Sequence, residues 1–324
     1  MPVLPALQAL LDALPPFPAL DLDPEKVAGL REAGLAGSNA LAATVAEAPR
    51  PVGTVTTEKM PVEGGEITLR IYQPEGPGPH PIHVYYHGGG WAAGTIEEVF
   101  VDVICRERTA LAGYVTIAVE YRLAPEHKFP VPLDDSYAAL LWAAEHAPEF
   151  NAKPDLITIG GGSAGANLAA AITLKARDEE GPKIAFQVLE IPALDLTLTG
   201  PGYELYGNGE YPLPLTDIET YRAAYLPTAD DRKNPLASPL LAEDLSQLPP
   251  ALILSSEYDP LQFDGSRYAE RLNDAGVEAT FILGAGQIHG SSQFTKLLPE
   301  SAAWRDEVIT YLRAHARPQV PAKL

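Results

Sequence analysis

From about residue 81 onward, short runs of apolar, β-branched and aromatic residues alternate with longer segments of helical apolar spacing. The strand-like runs fall at 82–86, 114–119, 156–159, 185–190, 251–255 and 278–283. Segments 97–112, 134–147, 164–178 and 262–275 are long enough to be crossover helices. Such alternation predicts a parallel sheet with helices on both faces. Upstream, the β-rich runs 52–60 and 66–72 flank Gly64-Gly65 and predict an antiparallel hairpin, bringing the total to about eight strands. The first 48 residues are helical in pattern: Leu4, Leu7, Leu11 and Leu14 share one stripe, widened by Leu10. Asp23-Pro24 predicts the N-cap and first turn of a second, short helix.

One interval breaks this rhythm. About 60 residues separate Ile191 from Pro250, far more than a single crossover needs. Gly- and Pro-rich turns come first, followed by a capping-box pattern at Thr216 and Glu219 that predicts a helix start. The expected architecture is one α/β domain over 1–324, with a cap built from 1–48 and roughly 196–232.

Composition narrows the functional classes. The formal charge is -20, with 43 acidic against 23 basic residues, which argues against nucleic acid or an anionic membrane surface as partner. Cys105 is the only cysteine, in an apolar-periodic stretch where a packed thiol is expected, so no intrachain disulfide can form. No positive charge precedes Lys26, and no uncharged apolar run is long enough to span a bilayer, so the expected compartment is the cytoplasm.

Gly161-Gly162-Ser163-Ala164-Gly165 fits G-x-S-x-G between a predicted strand and an Ala-rich helix. A serine on so tight a turn projects its hydroxyl clear of the sheet, and bulky neighbours would clash there. Gly160, Gly162 and Gly165 also spell G-x-G-x-x-G, with Glu190 ending the next strand, so the segment alone also admits a dinucleotide-binding enzyme. His87-Gly88-Gly89-Gly90-Trp91, after run 82–86, has no place in that alternative. Consecutive glycines bring backbone N–H groups to a substrate without side chains in the way, as an oxyanion hole requires. Gly88 and Gly89 are the expected donors, with the amide of Ala164 as a third. His80, His83 and His87 do not predict a metal site, because His83 and His87 would stand about 13 Å apart along an extended strand.

In serine hydrolases with an open parallel sheet, the chain order is nucleophile, acid, histidine. Only His289 and His315 follow Ser163. His289 lies in a loop just past a predicted strand, where catalytic groups collect, whereas His315 sits near Arg313 and Arg317 in the terminal helix. Asp259, in the turn after run 251–255, is the expected acid, and Glu257 competes with it. Ser163, His289 and Asp259 would thus be nucleophile, base and orienting acid. Amidases, formamidases and lactonases share this machinery, and a binding relative that has lost catalysis would be expected to lack one of the three.

Taken together these residues resemble the hormone-sensitive lipase-like esterases of the α/β-hydrolase superfamily. HGGGW (87–91), YRLAPEHKFP (121–130), the elbow with ANLAA (166–170), NPLASPL (234–240), LPPALIL (248–254), DPL (259–261) and IHG (288–290) occur in family order. The resemblance implies a capped acyl pocket and hydrolysis of small-molecule, short- to medium-chain carboxylic esters without a cofactor. It also implies a family that includes homodimers joined at a sheet edge. Three departures stand out: Gly162 where Asp is common, DPLQFDG (259–265) for DPLRDEG, and Ser291-Ser292 where an aromatic residue usually follows IHG. The last is expected to alter the pocket wall.

Overall fold

The computed structural model describes residues 2–13 and 20–316. Helices α1 (Pro5–Ala13) and α2 (Val27–Val45) precede the hairpin β1 (Thr54–Val62) and β2 (Gly65–Gln73). Then follow β3 (His80–Tyr86), α3 (Val99–Ala112), β4 (Val115–Glu120), α4 (Val131–Glu145), β5 (Ala152–Gly162), α5 (Ala164–Asp178) and β6 (Ile184–Glu190). The long interval holds α6 (Pro201–Tyr206) and α7 (Leu215–Tyr225); β7 (Ala251–Tyr258), α8 (Gln262–Asp274), β8 (Ala279–Ile288) and α9 (Pro299–Ala314) complete the order. The eight strands form one sheet, β1-β2-β4-β3-β5-β6-β7-β8. β2 is antiparallel to both its neighbours, and β3 to β8 run parallel.

The centre of the sheet is covered on both faces, which is why β3 and β4 are buried almost throughout, His83 and Thr116 included. β2 alternates where its outer face meets solvent. Helix α5 is buried over almost its whole length, and its alanines let it approach the sheet closely. That approach explains two glycines of the elbow. A Cβ on Gly165 would collide with the Tyr86 and His87 carbonyl oxygens, and one on Gly161 with the Tyr86 carbonyl oxygen. Gly162 is different: the Tyr85 hydroxyl, at 3.9 Å, is the only atom near its Cβ position.

Some predicted boundaries move. Helix α2 begins at Val27 and runs for 19 residues, so it is not short. Asp23 instead closes the preceding turn, its carboxylate accepting the Glu25 N–H at 2.9 Å. The capping box is not formed: Pro214 is the N-cap of α7, Thr216 lies inside the helix, and its carbonyl accepts the Thr220 hydroxyl at 2.8 Å. A proline at the helix boundary has already set the entry direction of the chain. Leu7 of the N-terminal stripe is buried, and Leu14 lies outside the described residues.

The insertion is tied to the domain by buried polar groups. Asn167 donates to the carbonyls of Ala193 (2.7 Å) and Ala237 (2.8 Å). Asp264 of α8 accepts the N–H groups of Leu194 and Asp195 and the Tyr203 hydroxyl. Burial outweighs these donors and pushes the Asp264 carboxyl from 3.8 up to about 7.

Two outcomes follow from this packing. Gly165→Ala should lower the melting temperature by roughly 5–10 °C, whereas Gly162→Ala should leave it within about 2 °C. Equal losses in calorimetry would rule out the close helix–strand approach as the reason for Gly165. The native state holds the Asp264 proton more tightly than the unfolded chain. Its contribution is therefore complete below about pH 4 and is lost as pH rises towards about 7. Asp264→Asn should flatten the melting temperature across that window, and an unchanged slope there would contradict this role.

Candidate active site

Three strand ends converge on one cavity. At the end of β5 the chain reverses into α5 through Ser163, whose φ of 55° and ψ of -118° lie in a sparsely populated region for a residue with a side chain. The Glu190 carbonyl fixes the turn by accepting the Ser163 N–H at 2.9 Å. The Glu190 side chain is itself locked: it pairs with the buried Arg108 and accepts the Trp304 indole N–H at 3.0 Å. Glu190 is thus engaged within the protein fold, which removes it as the ribose ligand of a dinucleotide site.

Beside Arg108 lies His83, held neutral by burial and by the neighbouring guanidinium. Its Nε2 accepts from Arg108 at 3.2 Å while its Nδ1 faces the Thr158 hydroxyl at 2.9 Å. His83 is therefore a core strut. Among the described residues no three His, Cys, Asp or Glu groups gather as metal ligands.

The glycine loop after β3 faces this turn. A Cβ on Gly88 would stand 3.6 Å from the Ser163 Cβ, so the loop and the elbow are in near contact. Gly89 (φ 114°) has no room for a side chain, because the Ala93 backbone folds back onto it. YRLAPEHKFP braces the loop. Tyr121 stacks on His87 at 4.3 Å and donates to its carbonyl, and the Ala124 N–H reaches the Trp91 carbonyl. Arg31 of α2 clamps the far side, donating to the carbonyls of Ala92 and Ala124 (both 2.7 Å) and pairing with Glu126.

At the third strand end, the two acidic candidates part company. Asp259 is fully buried; one oxygen accepts the Leu261 N–H at 2.9 Å and the other stands 2.7 Å from His289 Nδ1. Glu257 points elsewhere and accepts the Gly286 N–H at 2.7 Å. His315 stacks on Phe186 at 3.9 Å and faces the Tyr311 carbonyl, so it is half-buried rather than solvated and lies away from the cavity.

Ser163, Ala164, Gly88, Gly89 and His289 line a common cavity of about 360 Å³. Leu213, Ile218 and Tyr221 from the insertion, together with Phe100, make much of its wall apolar. Ser291 itself does not line the cavity. Ser291 is buried beneath the His289 loop, bonded to the Gln287 side chain and the Ile288 carbonyl, and Gln293 lines the cavity instead. Sequence reasoning missed Arg31 and Arg108, because their partners lie 61 to 95 and 25 to 82 residues away. It also missed the cavity residues of α7, which no motif marks.

Known proteins share this fold. The profile of the alpha/beta hydrolase fold family matches residues 83–293. The carboxylic ester hydrolase LipN of Mycobacterium tuberculosis is 41% identical over 267 residues, covering 81% of this chain and 70% of that protein. An arylesterase of Saccharolobus solfataricus is 37% identical over 239 residues, 74% of this chain and 77% of its own. The solved hyperthermophilic esterase of the archaeon Pyrobaculum calidifontis superposes with a TM-score of 0.90 at 35% identity, covering 98% of this chain and 99% of that one. With an elbow, a glycine loop and an Asp–His pair at the ends of a mostly parallel eight-stranded sheet, the chain belongs to the α/β-hydrolase family, in its hormone-sensitive lipase-like esterase branch.

Proposed function

We propose that the protein is a carboxylesterase that hydrolyses short- to medium-chain esters through Ser163, His289 and Asp259. The observation that carries the reading is the buried Asp259 carboxylate 2.7 Å from His289 Nδ1, with His289 and the strained Ser163 turn lining the same cavity. With Nδ1 engaged by Asp259, His289 keeps Nε2 for the Ser163 hydroxyl. Ser163 Oγ attacks the ester carbonyl carbon as His289 takes its proton. The amides of Gly88, Gly89 and Ala164 stabilise the oxyanion. Collapse breaks the bond to the alcohol oxygen, which leaves with the proton from His289. Water then attacks the acyl-enzyme, gives its proton to His289 and releases the acid, while Ser163 recovers its proton.

The cavity supports the size class, since about 360 Å³ is near the lower end of the ~300–1,000 Å³ typical of ligand sites. Segments 1–48 and 196–232 form the cap in this reading. Leu213, Ile218 and Tyr221 supply walls, and the Leu4 N–H donates to the Gly286 carbonyl near the histidine loop. The acyl-enzyme route requires no metal or cofactor, and the partner is a small-molecule ester. No helix among the described residues is long and apolar enough to cross a membrane.

Ser163→Ala should reduce kcat on p-nitrophenyl butyrate by ~10⁵-fold or more with the circular-dichroism spectrum unchanged. Near-wild-type turnover in the folded variant would remove Ser163 as nucleophile. Asp259→Asn should cost ~10³-fold or more by favouring the wrong imidazole tautomer. Glu257→Gln, which can still accept the Gly286 N–H, should stay within about tenfold of wild type. The reverse ranking in steady-state kinetics would transfer the orienting role to Glu257.

A further inference from the structure

Tyr85, the penultimate residue of β3, is 2% exposed and lines the cavity beside the elbow. Its hydroxyl has no hydrogen-bond partner among the described residues, and its oxygen is not sealed within the protein as the unpaired hydroxyls of Tyr72, Tyr225 and Tyr268 are. Buried polar groups normally find a partner, so an unpaired one facing a cavity marks a place where a ligand atom can complete it.

Two neighbours sharpen this reading. The Arg108 guanidinium carbon lies 4.5 Å from the Tyr85 ring centroid, a cation–π contact that holds the ring in place. Burial pushes the phenol's pKa above its ordinary value although Arg108 opposes it, so near neutral pH the group remains a donor. Gly162 stands alongside with no side chain. Sterics demand glycine at 161 and 165 but not here, where a Cβ would have open space and only the Tyr85 hydroxyl, at 3.9 Å, nearby. A side chain at 162 would cover that hydroxyl, and glycine leaves it open.

We propose that Tyr85 is a specificity-determining residue, exposed to substrate by Gly162, whose hydroxyl donates to a neutral oxygen within the first few atoms of the scissile carbonyl. The favoured substrates are then alkoxy-, keto- or hydroxy-substituted esters over their all-carbon counterparts. A carboxylate substituent is disfavoured, because Glu98 and Asp217 line the same cavity and, among the described residues, no lysine or arginine does. The inference rests on the esterase reading and specifies its substrate class.

The test compares p-nitrophenyl methoxyacetate with p-nitrophenyl butyrate, which differ by an ether oxygen in place of a methylene. The ratio of their kcat/KM values, each divided by its rate with hydroxide, removes intrinsic reactivity. Wild type should prefer the methoxy ester by about five- to tenfold, the worth of one hydrogen bond. The ratio should fall towards unity in Tyr85→Phe, whatever change the two esters share. Gly162→Asp, which places a side chain over the hydroxyl, should lower the ratio too and guards against a Tyr85→Phe that does not fold. A wild-type ratio near one, or an unchanged ratio in a folded variant, overturns the proposal. Failure of wild type to hydrolyse either ester, or survival of turnover in Ser163→Ala, instead overturns the esterase reading.

Discussion

Ser163 holds a backbone conformation, φ 55° and ψ -118°, that costs of order 1–3 kcal/mol and persists only where the surroundings over-determine it. Here they do. Gly161 and Gly165 let β5 and α5 pass against the Tyr86 and His87 carbonyls, and the Glu190 carbonyl holds the Ser163 amide. Beneath them Arg108, His83 and Trp304 fix Glu190 in a buried network in which the arginine and the carboxylate are paired. Removing one partner would leave a buried charge without compensation, a far larger loss than that of an exposed ion pair. The cavity takes its position from this turn.

The same network reaches the substrate side of the sheet. Arg108 contacts Glu190 through its nitrogens and the Tyr85 ring through its face. One guanidinium therefore steadies both the strand end that anchors Ser163 and the phenol that looks into the cavity. On the opposite flank, Arg31 joins α2 to the end of the glycine loop at Ala92 and to its brace at Ala124 through their backbone carbonyls. The segments surrounding the cavity are thus fastened to the parts that shape it, and the apolar wall from the insertion completes the enclosure.

The motifs that announced the fold have separate physical tasks. NPLASPL supplies the Ala237 carbonyl to Asn167 and the Ser238 hydroxyl to the Leu196 N–H, which seats the insertion. YRLAPEHKFP supplies the aromatic and backbone contacts that brace the glycine loop. Neither contains a group that reacts.

Local residue patterns were enough for the alternation of strands and helices, the hairpin at Gly64, the elbow and the glycine loop, because each leaves its signature within a few consecutive residues even where distant segments complete it. They also brought forward Asp259 and His289, through chain order and their place just past strand ends. Periodicity could not separate Asp259 from Glu257: the two lie two residues apart at the end of one strand, and only the bulged pairing of β7 with β8 aims one at His289 and the other at Gly286. The same limit explains the misplaced helix starts at Asp23 and Thr216, where good capping residues were overridden by the path the chain takes into the tertiary structure. Glu190, legible as a ribose ligand, became the keystone of the elbow because Arg108 and Trp304 arrive from 82 and 114 residues away. The cavity wall was beyond the sequence for the same reason. Its residues come from α3, the insertion and the histidine loop, and their adjacency exists only once the sheet has brought those segments together.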